Sequence, residues 1–99
     1  MYVRTIVADL IPRKADEAVK IFREQIVPVI REQPGFVSTS IYIDRSNNQA
    51  QTISVWESEA AAKATSEGTA YLAKVTGMLR SCLVNRKHEL WEIAYTDSV

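Results

Sequence analysis

No disulfide can close within this chain, because Cys82 is its only cysteine, and no cysteine zinc cluster can form inside one copy of it. That scarcity suits a reducing compartment. As a nucleophile Cys82 would need a neighbour that stabilises its thiolate; Arg80 and Arg86 are near in sequence, but a buried, inert thiol is the reading we adopt. Neither sign of charge is in excess, since twelve Lys and Arg balance twelve Asp and Glu. No basic stripe or arginine-rich run is present to attract phosphate backbones or anionic lipid, so neither nucleic acid nor membrane is expected as a partner. Long apolar runs are also missing, the longest being a few residues against the roughly 20 needed to span a bilayer. The start Met1-Tyr2-Val3-Arg4 lacks a signal-peptide pattern, and the cytoplasm is the expected location.

What the chain does have is ordinary globular material: 46% of its 99 residues are hydrophobic, which supports one core and so one domain over residues 1–99. A domain of this size buries only about two thirds of the surface its unfolded chain exposes, so burial across a subunit interface would add to its stability. A homodimer is expected on that ground.

Val3, Ile6, Val7 and Leu10, mixed with Arg4, Thr5 and Asp9, predict a first strand that Pro12 ends. From Lys14 onward Ala15, Ala18, Val19, Phe22, Ile26, Val29 and Ile30 recur at helical spacing, opposite Glu17, Arg23, Glu24 and Arg31. Pro28 interrupts this helix, because it lacks an amide donor and crowds the carbonyl of Glu24, so a kink or early end is expected there. Pro34-Gly35 then punctuates the chain. Phe36 to Asp44 alternates Val37, Thr39, Ile41 and Ile43 against Phe36, Ser38, Ser40 and Tyr42. After the polar turn Asp44 to Asn48, Gln51 to Trp56 alternates again, and the two strands should pair as a hairpin.

Ser58 is placed to cap a second helix beginning Glu59-Ala60-Ala61, with the acid in the first turn where the helix dipole favours it. Its apolar face reads Ala61, Ala64, Gly68, Leu72, Val75 and Leu79, and Gly68 with Thr65 and Thr69 predicts a break into two short helices. Arg86 to Tyr95 alternates His88, Leu90, Glu92 and Ala94 against Lys87, Glu89, Trp91, Ile93 and Tyr95 as a fourth strand, before a polar tail, Thr96 to Val99. Strand, helix, hairpin, helix, strand is the split βαβ, ferredoxin-like α+β order, βαββαβ, with both helices on one face of a four-stranded antiparallel sheet. Apolar residues occupy both phases of the first and fourth strands, as expected if a second sheet covers the other face.

Two short motifs sit on this frame: Gln33-Pro34-Gly35-Phe36 opens the second strand, and Val55-Trp56-Glu57-Ser58-Glu59-Ala60-Ala61 joins the third strand to the second helix. With this element order, the sequence resembles the antibiotic biosynthesis monooxygenase (ABM) family over nearly its whole length. That resemblance implies a dimeric α+β barrel in which two sheets face each other and each subunit keeps a cavity between its sheet and its helices. It does not imply one reaction, because the family holds cofactor-independent monooxygenases acting on phenols or quinols, haem-degrading enzymes, signal-processing enzymes and proteins with no established activity. The haem-degrading branch would need a histidine ligand and a tryptophan on the second helix and an asparagine on the first strand. From Ser58 to Arg80 there is neither histidine nor tryptophan, and Val3 to Leu10 holds no asparagine, so haem degradation is not expected.

His88, the sole histidine, would serve as a proton acceptor near neutral pH if a pocket reached it. Lys87 and Glu89 flank it, and a structural or exposed histidine is the plainer reading; metal binding by one histidine without a carboxylate pattern is not expected. Tyr42, Trp56, Tyr71, Trp91 and Tyr95 offer flat rings for a flat substrate, and core packing explains them equally well. We take Tyr42, Trp56, Tyr71, Trp91 and His88 as the candidate substrate-binding residues. A cofactor-free oxygenase needs an easily deprotonated, electron-rich substrate whose carbanion itself reduces oxygen, while the protein supplies orientation and charge stabilisation. Few fixed catalytic residues follow, and the polar strand residues Arg4, Thr5, Ser40, Thr52 and Ser54 form no triad or phosphate loop. The expected function is a cofactor-independent monooxygenase acting on a small aromatic or quinol-like metabolite. The alternative is a non-catalytic dimer that binds a small molecule or serves as an interaction module.

Overall fold

The computed structural model describes residues 1–66 and 68–98. Its elements are β1 (Tyr2–Leu10), α1 (Ala15–Ile21), a π-helical turn (Phe22–Ile26), α2 (Val27–Ile30), β2 (Phe36–Asp44), β3 (Gln49–Trp56), α3 (Glu59–Lys63), α4 (Ala70–Met78) and β4 (Leu83–Glu92). The strands form one antiparallel sheet in the order β2-β3-β1-β4, with β1 paired to β3 on one side and β4 on the other. The helices pack on one face, which is the expected ferredoxin-like α+β arrangement.

The interruption expected at Pro28 is absorbed upstream of it. The N–H of Val27 bonds the Phe22 carbonyl, five residues back, so the widened turn Phe22–Ile26 takes up the register that Pro28 cannot continue. Phe22, Ile26 and Ile30 nevertheless stay on the buried face. Two short helices replace one long one in the second half, as Gly68 predicted. Ser58 Oγ accepts from the Ala61 N–H at 3.1 Å at the start of α3, and Thr69 Oγ1 accepts from the Leu72 N–H at 3.2 Å at the start of α4. Because the break frees α3 from the phase of α4, α3 buries Ala62 and the following turn buries Thr65, while Ala64, expected inward, is exposed.

Two bulges shift residues from their expected faces. Phe36 pairs with Trp56 but Ser38 with Val55, so Val37 is the extra residue and Phe36 joins Thr39, Ile41 and Ile43 on the helix side. The fourth strand starts at Leu83 rather than Arg86 and ends at Glu92 rather than Tyr95. Buried Cys82 and Leu83 draw it inward beside Leu10, and Ala8 then faces both Asn85 and Arg86, with Asn85 at φ 57°. Beyond β4 the residues to Ser98 have no regular structure; Val99, the last residue of the expected tail, lies outside the described residues.

The core between sheet and helices is one cluster around Ala8, Leu10, Ala18, Phe22, Ile26, Val75, Leu79, Cys82 and Leu83, with a smaller one around Ile30, Trp56 and Ala62. Cys82 is fully buried there. The opposite sheet face carries Val3, Val7, Ile53 and Val55 half-buried, with Tyr42 and Trp91 more than half exposed. Among the described residues no helix is long and apolar enough to cross a membrane.

Candidate active site

Along β1 the even-numbered side chains Arg4, Ile6, Ala8 and Leu10 face the helices, and the register carries the same face onto Thr52, Ser54 and Trp56 of β3 and onto His88 and Leu90 of β4. A narrow cavity of about 40 Å³ lies between this surface and the helices. Its walls are mostly apolar, from Phe22, Ile26, Ile30, Val75 and Leu79, and Arg4, Ser54 and Tyr71 bring polar groups to it. A second, open depression of about 420 Å³ lies between β4 and α4, lined by Gly68, Thr69, Ala73 and His88. Leu72, Thr76 and Arg86 line both spaces and so form the partition between them.

Arg4 is held by three contacts. Nη1 donates to Thr65 Oγ1 at 3.0 Å, Nη2 donates to the Ala62 carbonyl, and the guanidinium carbon lies 5.7 Å from the centre of the Trp56 ring. Trp56 is itself fixed, its Nε1 donating to Ser54 Oγ at 3.0 Å and Phe36 meeting it edge-on with ring centres 5.9 Å apart. Burial disfavours the charge on Arg4 and lowers its pKa, an effect the nearby Tyr71 partly offsets. Burial also pushes the Tyr71 hydroxyl up to about 12, against the pull of Arg4 in the other direction. At the partition Arg86 Nη2 donates to the Thr76 carbonyl at 2.9 Å, tying β4 to α4. His88 Nδ1 is buried with no hydrogen-bond partner among the described residues.

Of the five residues expected to bind substrate, Tyr71 lines the inner cavity and His88 stands in the outer depression. Trp56 is fully buried behind Arg4, part of the wall's support rather than its surface. Tyr42 and Trp91 lie on the other side of the sheet, since Tyr42 pairs with Gln51 and Trp91 with Val3. Of the polar strand residues named from the sequence, Arg4, Thr52 and Ser54 line the inner cavity, and Arg86 joins them without having been named for the site. The signal for Arg4 was its shared phase with Ile6 and Leu10, which places a charged residue on the buried face of β1.

The raised Tyr71 pKa sets a pH window. The folded protein holds this proton to about 12 whereas an unfolded tyrosine releases it near 10, so the associated stability is present below pH 10 and is lost as pH rises toward 12. Urea unfolding followed across that interval should show a smaller alkaline loss in Tyr71→Phe than in the parent. An equal loss would place the hydroxyl in water.

The four-stranded sheet with its helices on one face is a ferredoxin-like α+β fold, with the cavity between the two layers. The family model described as antibiotic biosynthesis monooxygenase matches residues 1–76, and the chain belongs to that family. A variant of SnoaB, a cofactor-independent oxygenase from Streptomyces nogalater, superposes with TM-score 0.74 at 21% identity over 96% of this chain and 94% of that one. A variant of MhuD, solved with two manganese protoporphyrin IX bound per active site, superposes with TM-score 0.79 at 16% identity over 100% of both chains. At such identities these likenesses establish the fold. Among curated proteins, none is similar in sequence at a significant level. The residues present do not fit a haem: no histidine lines the inner cavity.

Proposed function

We propose that this protein is a cofactor-independent monooxygenase that oxidises a small aromatic or quinol-like metabolite in the space between its sheet and helices. The observation that carries the reading is the narrow cavity itself, an apolar slot with Tyr71 in its wall and His88 in the depression beyond the partition. Apolar walls favour a flat ring, and exclusion of water strengthens every hydrogen bond made to its oxygens. The substrate loses a proton to solvent to become a carbanion. The carbanion gives an electron to oxygen and combines with the resulting radical at carbon. Loss of water from the hydroperoxide leaves a carbonyl, one oxygen atom going to the product and the other to water. Tyr71, held neutral by burial, donates a hydrogen bond to the ring oxygen as its charge develops.

Two copies pair through the outer sheet face, where the half-buried Val3, Val7, Ile53 and Val55 and the exposed Trp91 make an apolar patch. The working location is the cytoplasm. A second reading, a dimer that binds a small molecule without turning it over, is favoured by the narrowness of the cavity.

Oxygen uptake with a panel of naphthohydroquinones and anthrones, corrected for autoxidation, separates the two. The oxygenase reading expects uptake above the blank and a drop of roughly tenfold in kcat/KM for Tyr71→Phe, the effect of one hydrogen bond made in the transition state. Sedimentation of the same samples should give the mass of two chains. Uptake no faster than the blank across the panel leaves the binding protein as the reading.

A further inference from the structure

Arg4 carries more charge than its surroundings account for. It is 4% exposed, and among the described residues no carboxylate lies within ion-pair distance of it. A guanidinium has five N–H donors, and the bonds to Thr65 and Ala62 use two of them, which leaves three without a protein acceptor among the described residues. Neither of those partners depends on it. The Ala62 carbonyl also accepts from the Thr65 N–H at 3.2 Å and from Thr65 Oγ1 at 3.1 Å, so it would stay satisfied without the arginine. A buried cation with no counter-ion among the described residues is costly, and stacking on Trp56 offsets only part of that cost. An apolar residue of similar length would serve the packing better.

The missing anion has a place to sit, because Arg4 is one of the residues that line the cavity. We propose that Arg4 is the anion anchor of this cavity, and that the ligand is an organic anion with a flat apolar body and one oxyanion, an arenecarboxylate or a phenolate. The inference rests on the cavity as the binding site named above, and not on any reaction there. Phe22, Ile26, Val75 and Leu79 would hold the body of such a ligand, and the planar guanidinium matches the paired oxygens of a carboxylate. Ser54 and Thr39 add neutral hydroxyls to the same lining, and the second guanidinium there, Arg86, stands at the partition with Nη2 donating to the Thr76 carbonyl.

Benzoate is the smallest flat arene carrying a carboxylate, and benzamide is its uncharged counterpart of the same shape. Calorimetric titration of the purified protein should show benzoate binding at least tenfold more tightly than benzamide. In Arg4→Gln that preference should fall at least fivefold, and Arg4→Lys, which keeps the charge without the planar fork, should restore part of it. Equal affinities of the parent protein for the two ligands would overturn the proposal without any variant. Should Arg4→Gln not fold, the nitrogen-15 resonance of the Arg4 side chain in the parent decides: it must shift with benzoate and stay with benzamide, and the opposite result overturns the assignment. Melting of Arg4→Met adds a readout of the purely structural role. A melting point equal to or above that of the parent supports a functional arginine, and a fall of many degrees would make it a structural strut.

The two readings fail separately. Charge-selective binding of benzoate with no quinol oxidation keeps the anion site and removes the oxygenase. Quinol oxidation with equal binding of benzoate and benzamide does the reverse.

Discussion

Gly35→Ala is expected to lower the unfolding free energy by about 2–5 kcal/mol, the sum of about 1–2 for a left-handed residue with a Cβ and about 1–3 for overpacking. Gly35 has φ +79°, and a Cβ built on it would sit 2.6 Å from the Cβ of Ala61. The atom it meets is the stub of a helix residue, which cannot swing aside as the end of a long chain can. Urea unfolding should show the midpoint falling with little change in slope. The other glycines separate the causes. Gly68, at φ +89° with nothing within 4 Å, should lose only the backbone part on mutation to Ala, and Gly77, within α4 and with only the end of Arg80 nearby, should gain slightly. If Gly35→Ala costs no more than Gly68→Ala, the contact with Ala61 is not what Gly35 provides.

Trp56→Ala should be as damaging, with a loss of about 3–5 kcal/mol and a melting point lower by roughly 12–40 °C for a domain of this size. The ring is fully buried, and its removal takes away the edge-on contact of Phe36, the hydrogen bond to Ser54 and the platform under Arg4. Trp56→Phe retains most of the ring and should cost about 1–2 kcal/mol, mainly the Nε1 bond and some volume. Differential scanning calorimetry on the three proteins gives both differences. A Trp56→Ala protein that melts within a few degrees of the parent would mean that the layers close over the gap.

Much of this fold was legible because its signals are local and repeated. The two short motifs that carry the family resemblance turn out to be one structural unit: the Glu57 N–H bonds the Gly35 carbonyl at 2.8 Å, Gly35 rests on Ala61, and Phe36 meets Trp56. Residues that read as separate punctuation were describing a single contact. The bulges were not legible, since one extra residue such as Val37 changes which face Phe36 occupies without leaving a mark in composition. The start of β4 was missed for a similar reason, as nothing near Leu83 marks a strand until its pairing with Leu10 is known. At the site the aromatic inventory spoke for residue type and not for side of the sheet, so Tyr42 and Trp91 were grouped with Tyr71. Arg4 looked like an ordinary strand residue because what sets it apart is burial with no carboxylate beside it among the described residues, and that is a property of three-dimensional neighbours.

The central position of β1 also governs the order in which the molecule can assemble. Tyr2 pairs with Trp56 and Glu92, so the strand has to find partners 54 and 90 positions away. Only the β2–β3 hairpin, joined across residues 45–48, is a near-neighbour pairing. Contacts so distant along the chain slow folding, and refolding in the range of milliseconds to seconds is expected for such a topology. During synthesis the hairpin forms early and presents an open edge that β1 can occupy. β4 emerges afterwards, and with it come Arg86 and His88. The partition and the outer depression are therefore the last parts of the site to exist, and a nascent chain stalled before β4 would have a hairpin, a central strand and neither of them.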